Sequence, residues 1–235
     1  MNFQHAYREY GSGEPLLFLH GNQEDGSLFE KQIPAFSPYY RVILPDTRGH
    51  GRSPRGDAPF TLSQFADDLF SFIRRLELPP CHIVGFSDGA NIAMHFALRY
   101  PALLRRLVLV GGNYAPTGVH RRFQIPIELC YRFLCRAEKK RPKLRQKREM
   151  VGLMTEDTGL LPEELVKIRI PTLIMAGDHD MIRFSHTETL HHLIPGSRLE
   201  ILRGPHDLMQ KNPVAFNRTL LQFLREKLPA AQCPP

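Results

Sequence analysis

The segment Gly85-Phe86-Ser87-Asp88-Gly89 sets a serine between two glycines, after the apolar run Cys81 to Gly85 and before a helical stretch, Ala90 to Tyr100. Where a strand turns sharply into a helix, glycines leave room for the backbone and hold the intervening side chain out at the tip in a strained conformation. That is a position for a nucleophile. A serine hydroxyl attacks poorly until a base takes its proton, and a well-placed histidine contributes typically ~10²–10⁴-fold. Of the eleven histidines, His206 is best placed, in the loop Gly204-Pro205-His206 between the last apolar run and the last helical pattern. His20 and His50 lie in glycine-flanked loops, and His191 and His192 fall on a surface helix pattern.

The base needs an acid to fix its tautomer and stabilise its charged form. Two aspartates follow the apolar run Thr172 to Ala176, in Gly177-Asp178-His179-Asp180. Asp178 suits a turn-making role through its side-chain acceptors, which leaves Asp180 for the histidine. Attack on an acyl carbon puts negative charge on oxygen, and each preorganised N–H donor there is worth about 2.7–4 kcal/mol. The two donors expected are the backbone N–H of Asp88, at the start of the helix behind Ser87, and that of Asn22 in the loop His20-Gly21-Asn22.

Those loops need a rigid frame. Short apolar runs at Leu16 to Leu19, Tyr40 to Leu44, Cys81 to Gly85, Leu107 to Val110, Thr172 to Ala176 and Arg198 to Leu202 read as buried strands. Helical patterns separate them. In Thr61 to Leu76 the apolar residues Leu62, Phe65, Leu69, Phe72, Ile73 and Leu76 recur at spacings of three and four, and Thr61 with Gln64 has capping-box spacing. Asn212 and Pro213 suit the N-cap and first turn of a last helix. The alternation predicts an α/β fold, a mostly parallel central sheet flanked by helices, with ligands at the carboxyl ends of the strands. Residues 1–112 and 168–235 form its core domain, and Asn113 to Lys167, which has no buried strand pattern, is a small helical cap insertion.

Composition bounds the rest. At 235 residues with 42% hydrophobic and 23% charged residues, the chain has ordinary globular usage and folding buries roughly 70–75% of its unfolded surface. No apolar run approaches the ~20 residues that span a bilayer, and Met1 to Gly13 is too polar for a signal peptide. A soluble, cytoplasmic protein is expected, with a small-molecule substrate and neither nucleic acid nor membrane as partner. The four cysteines, Cys81, Cys130, Cys135 and Cys233, lack CxxC pairing and read as free thiols. The net charge of +7 is concentrated in Arg136 to Arg148, where eight basic residues face Glu138 alone. Such a run is most often a solvated face, though it could meet acidic ligands. The tail from Pro229 to Pro235 reads as frayed.

With serine, aspartate and histidine in that order, the chain resembles the α/β-hydrolase fold family. The resemblance runs through LHGN (19–22), PDTRGHGRS (45–53), VGFSDGANIA (84–93), AGDHD (176–180) and GPH (204–206). It implies that Asp46, Arg48 and Ser53 stabilise a loop, and that a variable cap occupies 113–167. Against the family pattern, the short amino-terminal segment suggests that the usual first antiparallel strand is missing and that the sheet has fewer than eight strands. The family includes esterases, lipases, thioesterases, aminopeptidases and carbon–carbon hydrolases, so fold alone does not choose the substrate. Dehalogenases and epoxide hydrolases of similar fold attack with aspartate, whereas position 87 is serine.

The reaction expected is acyl transfer to water, as in a carboxylesterase, with Ser87 as nucleophile, His206 as base, Asp180 as its partner and the Asn22 and Asp88 amides around the oxyanion. No metal and no cofactor is required. Phe86, Tyr114, Phe123 and Tyr131 are candidates to line the substrate pocket. Two alternatives stay open. Asp88 beside the nucleophile could hold an amine, giving an aminoacyl-ester hydrolase or an aminopeptidase-like enzyme. A non-catalytic ligand-binding protein on the same scaffold is the other.

Overall fold

Five strands have almost every residue along their middles apolar and buried, so both faces of the sheet they form must be covered. The computed structural model describes residues 3–226. Its sheet has seven strands in the order β1-β3-β2-β4-β5-β6-β7. These are β1 (Tyr7–Tyr10), β2 (Glu14–Leu19), β3 (Tyr40–Pro45), β4 (Cys81–Phe86), β5 (Leu104–Val110), β6 (Thr172–His179) and β7 (Arg198–Pro205). All neighbours run parallel except β1, which pairs antiparallel with β3 from Tyr7↔Pro45 to Tyr10↔Val42. The antiparallel strand that the short amino-terminal segment argued against is therefore present, because four residues suffice to pair along the β3 edge.

Period-two alternation divides the sheet's side chains between two cores. Leu17, Leu19, Ile83, Leu107 and Leu109 pack on one face with α2 (Leu62–Arg75) and α3 (Asp88–Arg99). Leu16, Phe18, Val84, Val108 and Val110 pack on the other, against Phe216, Leu220 and Phe223 of α9 (Pro213–Arg225). The smaller helices α1 (Ile33–Phe36) and α8 (Leu208–Lys211) join the second face, and α7 (Phe184–Leu193) the first. Thr61 caps α2 by accepting from Gln64 N at 3.1 Å. The Gln64 side chain turns to Asp68 at 3.2 Å instead of returning to Thr61, so only half of the capping box forms.

Between β5 and β6 the chain leaves the sheet for α4 (Arg121–Glu138), α5 (Arg145–Leu153) and α6 (Pro162–Leu165). This is the stretch whose pattern lacked a strand. One isolated bridge, Val119↔Ile182, ties it back to the loop after β6.

Among the described residues no helix is long and apolar enough to cross a membrane. Cys81, Cys130 and Cys135 are free thiols. Cys233 and the tail from Pro229 to Pro235 lie outside the described residues.

The loop DTRGHGRS folds back on itself. Asp46 accepts from Gly26 N at 3.0 Å and Arg52 N at 2.9 Å, and Ser53 Oγ donates to Asp46 O at 2.7 Å. Arg48 forms two bonds to buried Asp68, at 2.6 and 2.7 Å. This geometry gives Asp46, Arg48 and Ser53 structural work, with all three side chains buried.

Candidate active site

The chain visits β2, then β3 on one side, then returns to β4 on the other, so the loops after β2 and β4 diverge at the carboxyl edge. A crevice opens at such a switch point. Ser87 stands in it, at the tip between β4 and α3, with φ 53° and ψ −120°. Side chains rarely adopt a positive φ, and here the neighbours enforce it. Ser87 N donates to Val110 O at 2.8 Å. A Cβ on Gly85 would fall 2.3 Å from Gly89 O, and one on Gly89 would fall 2.2 Å from Leu19 O, so neither flanking position admits a side chain.

His206 follows β7 and reaches the same crevice. Its Nδ1 lies 2.6 Å from Asp180 Oδ1. Asp180 is held in turn by Ile182 N at 2.9 Å and Gly177 N at 3.3 Å. Burial works against its charged form, but the His206 bond and those backbone donors outweigh it and keep its pKa below the ordinary carboxylate value. Asp178, the other candidate, points elsewhere: its Oδ1 accepts from Gly204 N at 2.8 Å and ties the ends of β6 and β7 together. The Asp180 bond leaves His206 Nε2 free for the cavity, and Phe86 packs against the ring at a centroid distance of 4.8 Å. Among the described residues no hydrogen bond joins Ser87 Oγ to His206; such bonds often tighten only with substrate present.

The loop after β2 closes the crevice from the other side. His20, buried, donates from Nδ1 to Gly21 O (2.7 Å) and accepts at Nε2 from Thr47 N (3.0 Å). Burial lowers its pKa, so it is a neutral brace for the loop. Gly21 lies so near Ser87 that a Cβ on it would be 3.1 Å from the serine Cβ. The backbone N–H groups of Asn22 and Asp88 have no acceptor among the described residues.

Asn22 does more than its backbone suggested. Its Nδ2 donates to Asp88 Oδ2 at 2.8 Å and to Met150 O at 2.7 Å, linking the loop, the elbow and α5. Burial raises the Asp88 pKa to about 6, against the pull of the Asn22 bond.

Ser87 and His206 line one cavity of about 330 Å³, with Asn22 and Asp88 in its wall. Of the aromatic candidates only Phe86 belongs to the lining. Tyr114 stacks on His186 at 4.1 Å, Tyr131 bonds Glu156 from its hydroxyl at 2.9 Å, and Phe123 is exposed beneath the Arg122 guanidinium. Aliphatic residues take their place: Val119, Ile127, Leu153, Met181 and Ile182.

Sequence reasoning missed several members. Glu24 lines the cavity and accepts from Gly21 N at 3.0 Å; burial pushes its pKa up to about 7. Asn113 joins through Asn91, whose Oδ1 accepts from Asn113 N at 2.9 Å. With Glu156 and Asp207, four carboxylates border the cavity, and no lysine or arginine does.

Similarity to known proteins follows the same outline. The sequence profile of the alpha/beta hydrolase fold matches residues 14–128. The (E)-2-((N-methylformamido)methylene)succinate hydrolase of Acinetobacter baylyi is 35% identical over 49% of this chain and 44% of its own length. An enol-lactonase from Burkholderia xenovorans LB400 superposes with a TM-score of 0.80 at 21% identity, over 95% of this chain and 97% of the other. An esterase from Exiguobacterium antarcticum gives 0.78 at 25% identity, over 95% and 96%. Sheet order, elbow and profile agree, and the chain has the α/β-hydrolase fold.

Proposed function

We propose that this chain is a serine hydrolase that cleaves an ester or related acyl bond of a small molecule through an acyl-enzyme on Ser87. One observation carries the reading: a serine at positive φ shares a cavity with a histidine whose far nitrogen is already engaged by a buried aspartate. In this mechanism His206 Nε2 takes the Ser87 proton as Oγ attacks the acyl carbon, then delivers it to the leaving group. Water repeats the sequence to free the acid. Asp180 fixes the tautomer and stabilises the imidazolium. The Asn22 and Asp88 N–H groups, free of other acceptors, receive the oxyanion. Relatives named as an enol-lactonase, an esterase and a hydrolase of a formamido compound support a hydrolase.

The cavity's size and aliphatic wall favour a small, largely apolar acyl or alcohol group. Intact mass after fluorophosphonate treatment tests the nucleophile: a single adduct on the wild type and none on Ser87→Ala is expected. A wild type that stays unmodified while turning over no ester would leave a ligand-binding protein in its place.

A second reading has a specific observation behind it. The carboxylates bordering the cavity have no basic counterpart there, and Asp88 is held by a neutral amide instead of a cation. An ammonium on the substrate would supply the missing charge, as in an aminoacyl ester. Aminoacyl esters should then outpace their desamino analogues, mainly through KM; equal turnover of the two would remove this reading.

A further inference from the structure

The side of α4 turned away from the cavity has no partner among the described residues. Gln124, Ile127 and Leu134 face inward, the first two into the cavity lining. Ile125, Leu129 and Phe133, spaced four residues apart, form a stripe on the opposite side and are 42%, 58% and 66% exposed. A helix resting on a domain in water keeps its outer face polar; this one is apolar on both.

The stripe is framed in positive charge. Arg122 and Arg136 stand at its two ends, Arg132 along one edge, and Lys139, Lys140 and Lys143 continue past the helix terminus, all exposed. Two of the carboxylates nearby are already taken, Glu138 by Arg148 and Glu149 by Arg55 and Arg145, which leaves Glu128 as the one acidic side chain of α4 without an ion pair among the described residues. None of those six outer cations has a carboxylate partner among the described residues.

We propose that the outer face of α4 and the basic turn after it dock on a membrane surface containing anionic lipid. Leu129 and Phe133 enter the boundary between headgroups and acyl chains, and the cations meet the headgroup phosphates. Charge complementarity selects this occupant. A second copy of the chain would set one basic face against another. A nucleic acid would satisfy the cations but leave the aliphatic stripe in water. No run of spanning length exists, which is why sequence reading assigned no membrane partner; surface docking requires only an outward stripe. Because the inner face of α4 roofs the cavity, docking sets that roof at the lipid surface.

Co-sedimentation of the full chain with phosphatidylcholine vesicles, and with mixed phosphatidylcholine–phosphatidylglycerol vesicles, tests this. Wild type and Ser87→Ala are expected to bind the mixed vesicles alike, so the outcome does not depend on the hydrolase reading. Neutral vesicles and high salt should abolish binding. Replacing Lys139, Lys140 and Lys143 together by glutamine should weaken it about a hundredfold, at about fivefold per charge. Leu129→Ser with Phe133→Ser should weaken it at least about tenfold. Both positions are exposed, so circular dichroism and melting temperature should match wild type and separate lost docking from lost fold. Absent or equal binding to the two vesicle types overturns the proposal. So does retention on duplex DNA or polyglutamate that the serine pair leaves unchanged, which marks a plain polyanion surface. A dimer in light scattering that Phe133→Ser dissociates assigns the face to a second copy instead.

Discussion

Gly111 and His206 touch: a Cβ built on Gly111 would lie 2.6 Å from His206 Cε1 and 3.5 Å from Asp180 Oδ2. The glycine that follows β5, at φ +58°, thus shapes the floor under the imidazole, although it carries no functional group. Gly111→Ala should push the ring off its line to the Ser87 side. A misplacement of about 1 Å can cost about 10²-fold in rate, and a non-glycine residue at positive φ adds about 1 kcal/mol of strain. The expected result is a kcat lowered about 10²-fold on a chromogenic ester, with a melting temperature only a few degrees lower. An unchanged kcat would mean that the ring is held by Asp180 alone.

The bond between Asp180 and His206 supplies the second prediction. Asp180→Asn preserves shape but offers an amide where a carboxylate held the Nδ1 proton, so kcat should fall about 10³–10⁴-fold. Asp178→Asn should leave kcat within about threefold of wild type, because that side chain serves Gly204 N. Steady-state kinetics of the pair, side by side, separate two aspartates two positions apart.

That contrast also shows what the sequence could and could not reveal. Glycines at 85 and 89 announce a sharp turn whatever surrounds them, and the strand runs stand out because both faces of the sheet are dry. Turn chemistry favoured Asp180 over Asp178 in the sequence, but the contact itself depends on how the ends of β6 and β7 are joined, which no local pattern records. The cap was least legible. In α4, apolar residues at 123, 125, 127, 129, 131, 133 and 134 surround the helix, so no periodicity chooses an inner face. Tertiary packing turns Ile127 and Gln124 inward and leaves Phe123 and Phe133 out. Glu24 escaped notice because a carboxylate in a loop carries no pattern; its role comes from the backbone N–H it finds at Gly21.

Beneath the site, Arg48 and Asp68 form a doubly bonded pair, both nearly inaccessible to solvent. Removing one member of such a pair strands a buried charge, at about 3–5 kcal/mol. Arg48→Met should therefore destabilise strongly in urea titration, while Arg48→Met with Asp68→Leu should recover a large part of the loss. If the double variant is as unstable as the single one, the guanidinium's contacts with Phe3 and Arg55 O matter more than the charge balance.

Glu24 gives the chain a pH dependence of definite sign. Its pKa is raised from 4.5 to about 7, chiefly by burial, so between those values the folded state binds more proton than the unfolded one. Stability from this group is fully present below about 4.5 and is lost as pH rises through about 7. Asp88, raised to about 6, acts in the same direction over a lower window. Glu24→Gln keeps an acceptor for Gly21 N but cannot ionise. It should match wild type at pH 5 and exceed it at pH 8.5, by on the order of 1–2 kcal/mol once partial solvent exposure is allowed for. Chemical denaturation at the two pH values measures this directly. A variant less stable than wild type at pH 8.5 would show that the ionised carboxylate's bond to the Gly21 loop outweighs its desolvation.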